Sequence, residues 1–420
     1  MIPRGVLDIR WPTLLWAMRQ CLAGDGDSAG LLRETETFWN PDRQAVACLS
    51  VRSGLDLVLS ALDWPAGSEI VMSAVNIPAM SQIIEEHGLV PVPVDVAPQS
   101  LAPDIDQLRT RLTPRTRAIL VAHLFGSRLD LDEVAEIARA NGLQLWEDVA
   151  QGFTVDGFRG HPAADVSFFS FGLIKSQTAL GGAVLQFRDP VLADRCRVLQ
   201  AAWPERAFRQ RVGKSLGLQF LGLRPAFTVL AGMTSLAGRN LDEWIAGSVR
   251  GFRPQNLLEQ LRQRPCRALL ALLHRRLTNP EPGWVARKDA LAREYRRRLP
   301  PWVLLGGDAT FPTHWVLPIR SCDPQGLQAR LRRAGFDATT RGSQLRVVPP
   351  PAVEPSWATP AAAAWIPQLI YLPLHPALTL AHIAMIAGLV ESSERAGAAD
   401  GGPSHCLENR EKQNSPPESA

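Results

Sequence analysis

Between residues 46 and 146 the sequence switches repeatedly between two hydrophobic periods, and that alternation limits the chain to very few architectures. Short apolar runs at 46–49, 69–72, 90–96, 118–123 and 143–146 read as strands, and the segments between them at 55–62, 78–87, 104–112 and 132–140 carry helical spacing. Strand and helix in strict alternation predict a largely parallel sheet with helices on both faces. In such sheets ligands sit at the carboxyl ends of the strands. Three polar groups fall there: the Arg52-Ser53-Gly54 turn that closes the first strand, Asp148 at the end of the 143–146 run, and Ser170 near the end of a strand starting at Val166. A Ser-Gly turn at a helix start offers free backbone N–H groups and the positive end of a helix dipole, a seat for phosphate. The plainer readings are a helix cap for the turn and a polar strand terminus for Asp148.

Lys175 stands in the next connection, inside an apolar and aromatic run from residue 165 to 182. The chain uses arginine heavily and holds only four lysines: Lys175, Lys214, Lys288 and Lys412. Arginine serves ion pairing well but cannot lose its proton to become a nucleophile, whereas a desolvated lysine can. Lys175 therefore points to Schiff-base chemistry, with a lysine snorkelling from an apolar patch as the alternative.

At 420 residues, 46% hydrophobic and 20% charged, the chain can bury one large core and a second, smaller one. We expect a helical N-terminal arm over 1–43, a large domain over 44–252, a small α+β domain over 253–394 entered at Arg253-Pro254, and a disordered tail over 395–420. Within the small domain, helices are expected at 257–262, 269–276, 324–334 and 381–391, with a strand at 315–319. The scattered net charge of +4 gives no case for nucleic acid, and six dispersed cysteines make neither a metal site nor a disulfide framework, so a reducing cytoplasm fits. Residues 11–18 are apolar but bracketed by Arg10 and Arg19, unlike a signal peptide. The apolar stretch 216–236 is broken by Arg224-Pro225 and glycines, which suits peripheral membrane contact or a subunit interface better than a spanning helix.

Taken together, Trp146-Glu-Asp-Val-Ala-Gln151, the run from Ala164 to Lys175 and Thr178-Ala-Leu-Gly-Gly182 resemble the DegT/StrS family of pyridoxal-phosphate-dependent sugar aminotransferases. Val121-Ala-His-Leu-Phe-Gly126 and Leu372-Pro-Leu-His-Pro376 add to the likeness. The resemblance implies a fold-type I transferase: a mainly parallel seven-stranded sheet, a smaller C-terminal α+β domain, and a homodimer. It also implies that pyridoxal 5'-phosphate binds with Lys175 as the Schiff-base lysine and Asp148 as the carboxylate at the pyridine nitrogen. Gln151 would lie near the cofactor's phenolic oxygen, Ala150 against the ring face, and Ser170, Ser53 and Gly54 at the phosphate.

Two family positions differ. Leu55 follows Ser53-Gly54 where a hydroxyl residue is usual, beside Arg52, which either compensates or points to solvent, and Ile77 occupies the place of the aromatic residue that stacks on the ring. The loop by which a neighbouring subunit reaches the phosphate has no match over 203–240. His123 and His375 read as supports of strand ends and His161 as a loop residue. The implied activity moves an amino group from an amino acid, by default glutamate, to a keto-sugar carried on a nucleotide, in polysaccharide or secondary-metabolite biosynthesis. The alternatives are a non-catalytic binding or regulatory protein on the same fold and a transaminase for a non-sugar ketone or aldehyde; a sugar dehydratase is opposed by Lys175, since those relatives carry histidine there.

Overall fold

The computed structural model describes residues 1–23, 27–236, 241–243, 245, 252, 255–281 and 283–399. Seven strands, β1 (Ala45–Cys48), β2 (Glu69–Ser73), β3 (Val90–Val94), β4 (Thr116–Ala122), β5 (Gln144–Asp148), β6 (Val166–Ser170) and β7 (Ala183–Phe187), form one sheet in the order β1-β7-β6-β5-β4-β2-β3. The five strands from β3 to β6 pair in parallel, while β7 runs against both β6 and β1. Six strands thus end at one edge of the sheet. β2 is buried along its whole length and β4 at all but one residue, because helices cover both faces; that is why the strands appear in sequence as unbroken apolar runs.

The helix after β1, α1 (Val51–Leu62), starts earlier than the sequence suggests. Ser50 is its N-cap, with its hydroxyl accepting from Ser53 N, so Arg52, Ser53 and Gly54 form the first helical turn rather than a turn before it. Gly54 lies against β7, where an added Cβ would come within 2.7 Å of the Leu185 side chain. The N-terminal arm is two helices, Trp11–Leu22 and Ser28–Trp39. Trp39 packs among Phe153, Phe169 and Phe171, and Glu36 accepts from Ala47 N at 3.0 Å, joining the arm to β1.

A second core lies in the C-terminal part, where β8 (Leu317–Arg320) pairs antiparallel with β9 (Leu369–Leu372) under helices Trp284–Arg298, Pro324–Arg333 and Leu380–Ala399. Helix Trp284–Arg298 escaped the sequence reading because it is rich in arginine and buries only Leu291, Ala292 and Tyr295. The last helix continues to Ala399, past the expected start of a disordered tail at 395; Ser321 donates to Glu394 at 2.6 Å and holds it down. The expected hinge at Arg253-Pro254 and residues 400–420 lie outside the described residues. Cys322 is disulfide-bonded, so not every thiol is free.

Over 216–236 the chain forms parts of two helices, Arg209–Leu221 and Arg224–Leu236, bent by 95°. Among the described residues no single helix is long and apolar enough to cross a membrane. The first residues reach far across the molecule: Ile2 bridges Phe336, and Arg4 pairs with Asp337 and Asp242, each at 2.6 Å.

Candidate active site

The loop from β6 to β7 carries Lys175 along the edge where six strands end. Thr178 shapes it by donating to Gly172 O at 2.7 Å, and Gln177 N is received by the Asp8 carboxylate at 2.8 Å. Around it, Lys175, Asp148, Ala150, Gln151, Ser170 and Ile77 are all half-buried, whereas most strand residues behind them are sealed. Asp148 ends β5, Ala150 and Gln151 follow in the next turn, and Ser170 ends β6.

Burial drives the Lys175 amine down to about 8, with the charge of Arg52 adding to the fall and Asp148 opposing it. An amine in that position is available as a free base near neutral pH. Burial raises the Asp148 carboxyl, opposed by the Ala150 N–H that its Oδ1 accepts at 2.9 Å and by the charge of Lys175. Its Oδ2 has no hydrogen-bond partner among the described residues. Gln151 Oε1 accepts from Phe125 N at 2.8 Å, which leaves the amide Nε2 as the outward donor. Among the described residues the Ser170 hydroxyl accepts only from Gly172 N, at 3.3 Å, and keeps its own proton for a ligand.

Not every expected ligand is brought into this space. The Ser53 and Gly54 N–H groups are consumed by Ser50 Oγ and Ser50 O, the Ser50 and Ser53 hydroxyls face one another at 3.1 Å, and Leu55 is wholly buried in the core. Ile77 sits just before helix Pro78–Glu86 and packs on the cores at the sheet edge.

The structure adds residues that nothing local in the sequence marks. Trp315, from the segment before β8, places its ring 3.9 Å from Lys175 Nζ and donates its indole N–H to Ile174 O at 2.6 Å. Its backbone N–H bonds Phe125 O at 3.2 Å, an approach that requires Gly126: at φ +102°, a Cβ there would lie 2.8 Å from Trp315 N. Lys288 donates to Trp315 O at 2.9 Å, and burial lowers its amine to about 8 as well, against the charge of Asp8. The scarcity of lysine was the one available signal for Lys288. His123 donates Nε2–H to Glu147 at 2.9 Å and receives Leu129 N on Nδ1, the structural role expected of it. His161 reaches Asp132 at 3.1 Å from an outer loop.

Residues 31–222, which hold Lys175, Asp148 and all of the sheet, match the profile of the DegT/DnrJ/EryC1/StrS aminotransferase family. This stretch belongs to that family. The chain is 36% identical over 159 residues to the erythromycin biosynthesis sensory transduction protein EryC1 of Saccharopolyspora erythraea, covering 36% of this chain. It is 32% identical over 160 residues to the GDP-perosamine synthase of Caulobacter vibrioides, covering 38% of this chain; each match spans 43% of the relative. The crystal structure of NtdA from Bacillus subtilis, with bound cofactor PMP, superposes with a TM-score of 0.63 at 19% identity, over 91% of this chain and 82% of NtdA. That likeness extends beyond the family match into the C-terminal part and shows the fold expected from the sequence.

Aminotransferases of the DegT family use pyridoxal phosphate. The residues here suit it. Lys175 offers an amine that deprotonates at about 8, and among the described residues Asp148 keeps a carboxylate oxygen without a partner, Gln151 a free amide donor and Ser170 a free hydroxyl, all at one sheet edge.

Proposed function

We propose that this chain is a pyridoxal-phosphate-dependent transaminase that takes an amino group from an amino acid, by default glutamate, and gives it to a keto-sugar, by default linked to a nucleotide. The observation that carries the reading is the Lys175 amine held near a pKa of about 8 beside the Asp148 carboxylate at the strand ends. Pyridoxal phosphate, when bound, supplies the electron sink and carries the amino group between the two half-reactions. Asp148 keeps one oxygen for a ring N–H, and its own position is fixed by Ala150 N and the rigid end of β5. Lys175 Nζ takes a proton as a base and returns it as an acid; a pKa close to the working pH lets one group do both. Ser170 and Gln151 orient by donating hydrogen bonds, and the Trp315 ring covers the amine and limits water around it.

Support for a sugar acceptor comes from the relatives, among them GDP-perosamine synthase. A homodimer in the cytoplasm is the accompanying expectation. A second reading, a regulatory protein that retains the fold, has in its favour the aliphatic Ile77 and the buried Leu55 at family positions. The two readings separate in the visible spectrum of purified protein with added pyridoxal phosphate. A transaminase develops a band that borohydride bleaches, that glutamate discharges, and that Lys175→Ala lacks. A band unaffected by glutamate or other amino donors would favour the regulatory reading, and no Lys175-dependent band would remove the proposal.

A further inference from the structure

At the helix start that the sequence offers as a phosphate seat, the N–H groups of Ser53 and Gly54 are already engaged, and among the described residues only those of Val51 and Arg52, the first two helical positions, have no acceptor. Ser53 N and Gly54 N are taken up by Ser50, and glycine at 54 answers the Leu185 side chain rather than a ligand. What this segment presents instead is the Arg52 side chain. Its guanidinium carbon lies 4.5 Å from the centre of the Phe252 ring, and that of Arg206 lies 4.8 Å from the same ring. Arg211 rests against the loop that carries Lys175: a Cβ on Gly181 would come within 2.8 Å of its Nη1, which is 3.4 Å from Leu180 O. Among the described residues none of the three arginines meets a carboxylate, and Arg52 has no hydrogen-bond partner. Burial, and then the charges of Arg211 and Arg206, push Arg52 down to about 10; burial and then Arg206 push Arg211 to about 10. Three half-buried cations without a counterion repel one another, and a bound dianion reverses that penalty. The planar guanidinium fork matches phosphate oxygens in pairs.

We propose that Arg52, Arg206 and Arg211 form a dianion cradle, supplied wholly by one chain, that takes the phosphate of the bound cofactor. The assignment to the cofactor rests on the aminotransferase reading. It follows from place: the charge of Arg52 is felt at the Lys175 amine, and Arg211 lies along the same β6–β7 loop as that amine. Arg206 and Arg211 belong to the region over 203–240 in which the sequence shows no counterpart of the neighbouring subunit's phosphate loop. The chain uses that region to reach its own site.

The test compares wild type, Arg206→Gln, Arg211→Gln and the double variant in titrations with pyridoxal phosphate and with pyridoxal, read by absorbance and tryptophan fluorescence. Circular dichroism establishes that each variant is folded, and the corresponding Arg→Lys variants restore charge. Each glutamine is expected to weaken pyridoxal phosphate about tenfold and the pair about a hundredfold, with pyridoxal unchanged and lysine recovering part of the loss. Equal loss for both ligands, or no loss, overturns the cradle. Inorganic phosphate, without cofactor, should raise the melting temperature of wild type and not of the double variant; that arm decides the cradle even if wild type forms no Lys175-dependent band, which would defeat the aminotransferase reading alone. Thymidine diphosphate serves as the competing source. Loss of its binding with pyridoxal phosphate affinity intact would give the arginines to a nucleotide and overturn the assignment.

Discussion

Replacing Trp315 with leucine sets two influences on the Lys175 amine against each other. The ring face 3.9 Å from Nζ favours the ammonium through its quadrupole, by about 2 kcal/mol where water is scarce. The same ring excludes water and so disfavours the ammonium. Burial is the larger cause of the fall from 10.5 to about 8, a difference worth roughly 3 kcal/mol, less whatever screening a half-buried amine retains. Leucine removes the quadrupole and admits water; with the amine fully rehydrated the second effect outweighs the first by about 1 kcal/mol, so the midpoint should rise, by an amount capped at somewhat under one pH unit. Competitive acetylation across pH 6–11, read by mass spectrometry on the peptide containing Lys175, measures that midpoint. Trp315→Phe keeps a ring over the amine and should stay near 8. A midpoint in Trp315→Leu that falls, or does not move, would refute the claim that water exclusion dominates.

Gly126→Ala should destabilise the protein by about 3 kcal/mol, combining left-handed backbone strain with a collision against the Thr313–Trp315 backbone, read as a lower urea midpoint. An unchanged midpoint would mean the two loops part freely. Lys288→Met should show a pH-dependent gain in stability relative to wild type. The folded amine titrates at about 8 and the unfolded one at 10.5, so the cost of desolvating the charge is complete below pH 8 and fades as pH rises toward 10.5. Urea midpoints at pH 7 and pH 10 should therefore converge, whatever constant loss comes from the hydrogen bond to Trp315 O; parallel behaviour at the two pH values would contradict it.

The large sheet was legible because its parallel strands are largely buried on both faces, and two of them, β5 and β6, end in a polar residue. Asp148 and Ser170 are the last residues of β5 and β6, so the alternation that located these strands also located their ends. Lys175 stood out by rarity. Helix starts were less legible: Arg52-Ser53-Gly54 looked like a turn because Gly54 is a poor helix residue, and its reason for being there, Leu185, is 131 positions away in sequence. Trp315 and Lys288 belong to the same difficulty. Their roles come from tertiary approach across the Phe125–Gly126 loop, which no local period records. Arg206 and Arg211 were hidden in a different way, by lying in a stretch where arginine is commonplace.

The contacts of the first eight residues set an order of assembly. Arg4 and Asp337 are 333 positions apart, and their pairing closes a loop that thermodynamics tolerates well, since each doubling of loop length costs only about 0.6 kcal/mol. Time is the larger cost. At roughly 5–20 residues per second, Asp337 leaves the ribosome on the order of 15–70 seconds after Arg4, and until then Arg4 lacks this partner. Asp8, in the same segment, is what receives Gln177 N, two residues from Lys175, and Arg276 must arrive to hold Asp8 O at 2.7 Å. The sheet can therefore condense early, from contacts close in sequence, while the loop bearing the reactive lysine takes its final shape late, when both ends of the chain have met over it.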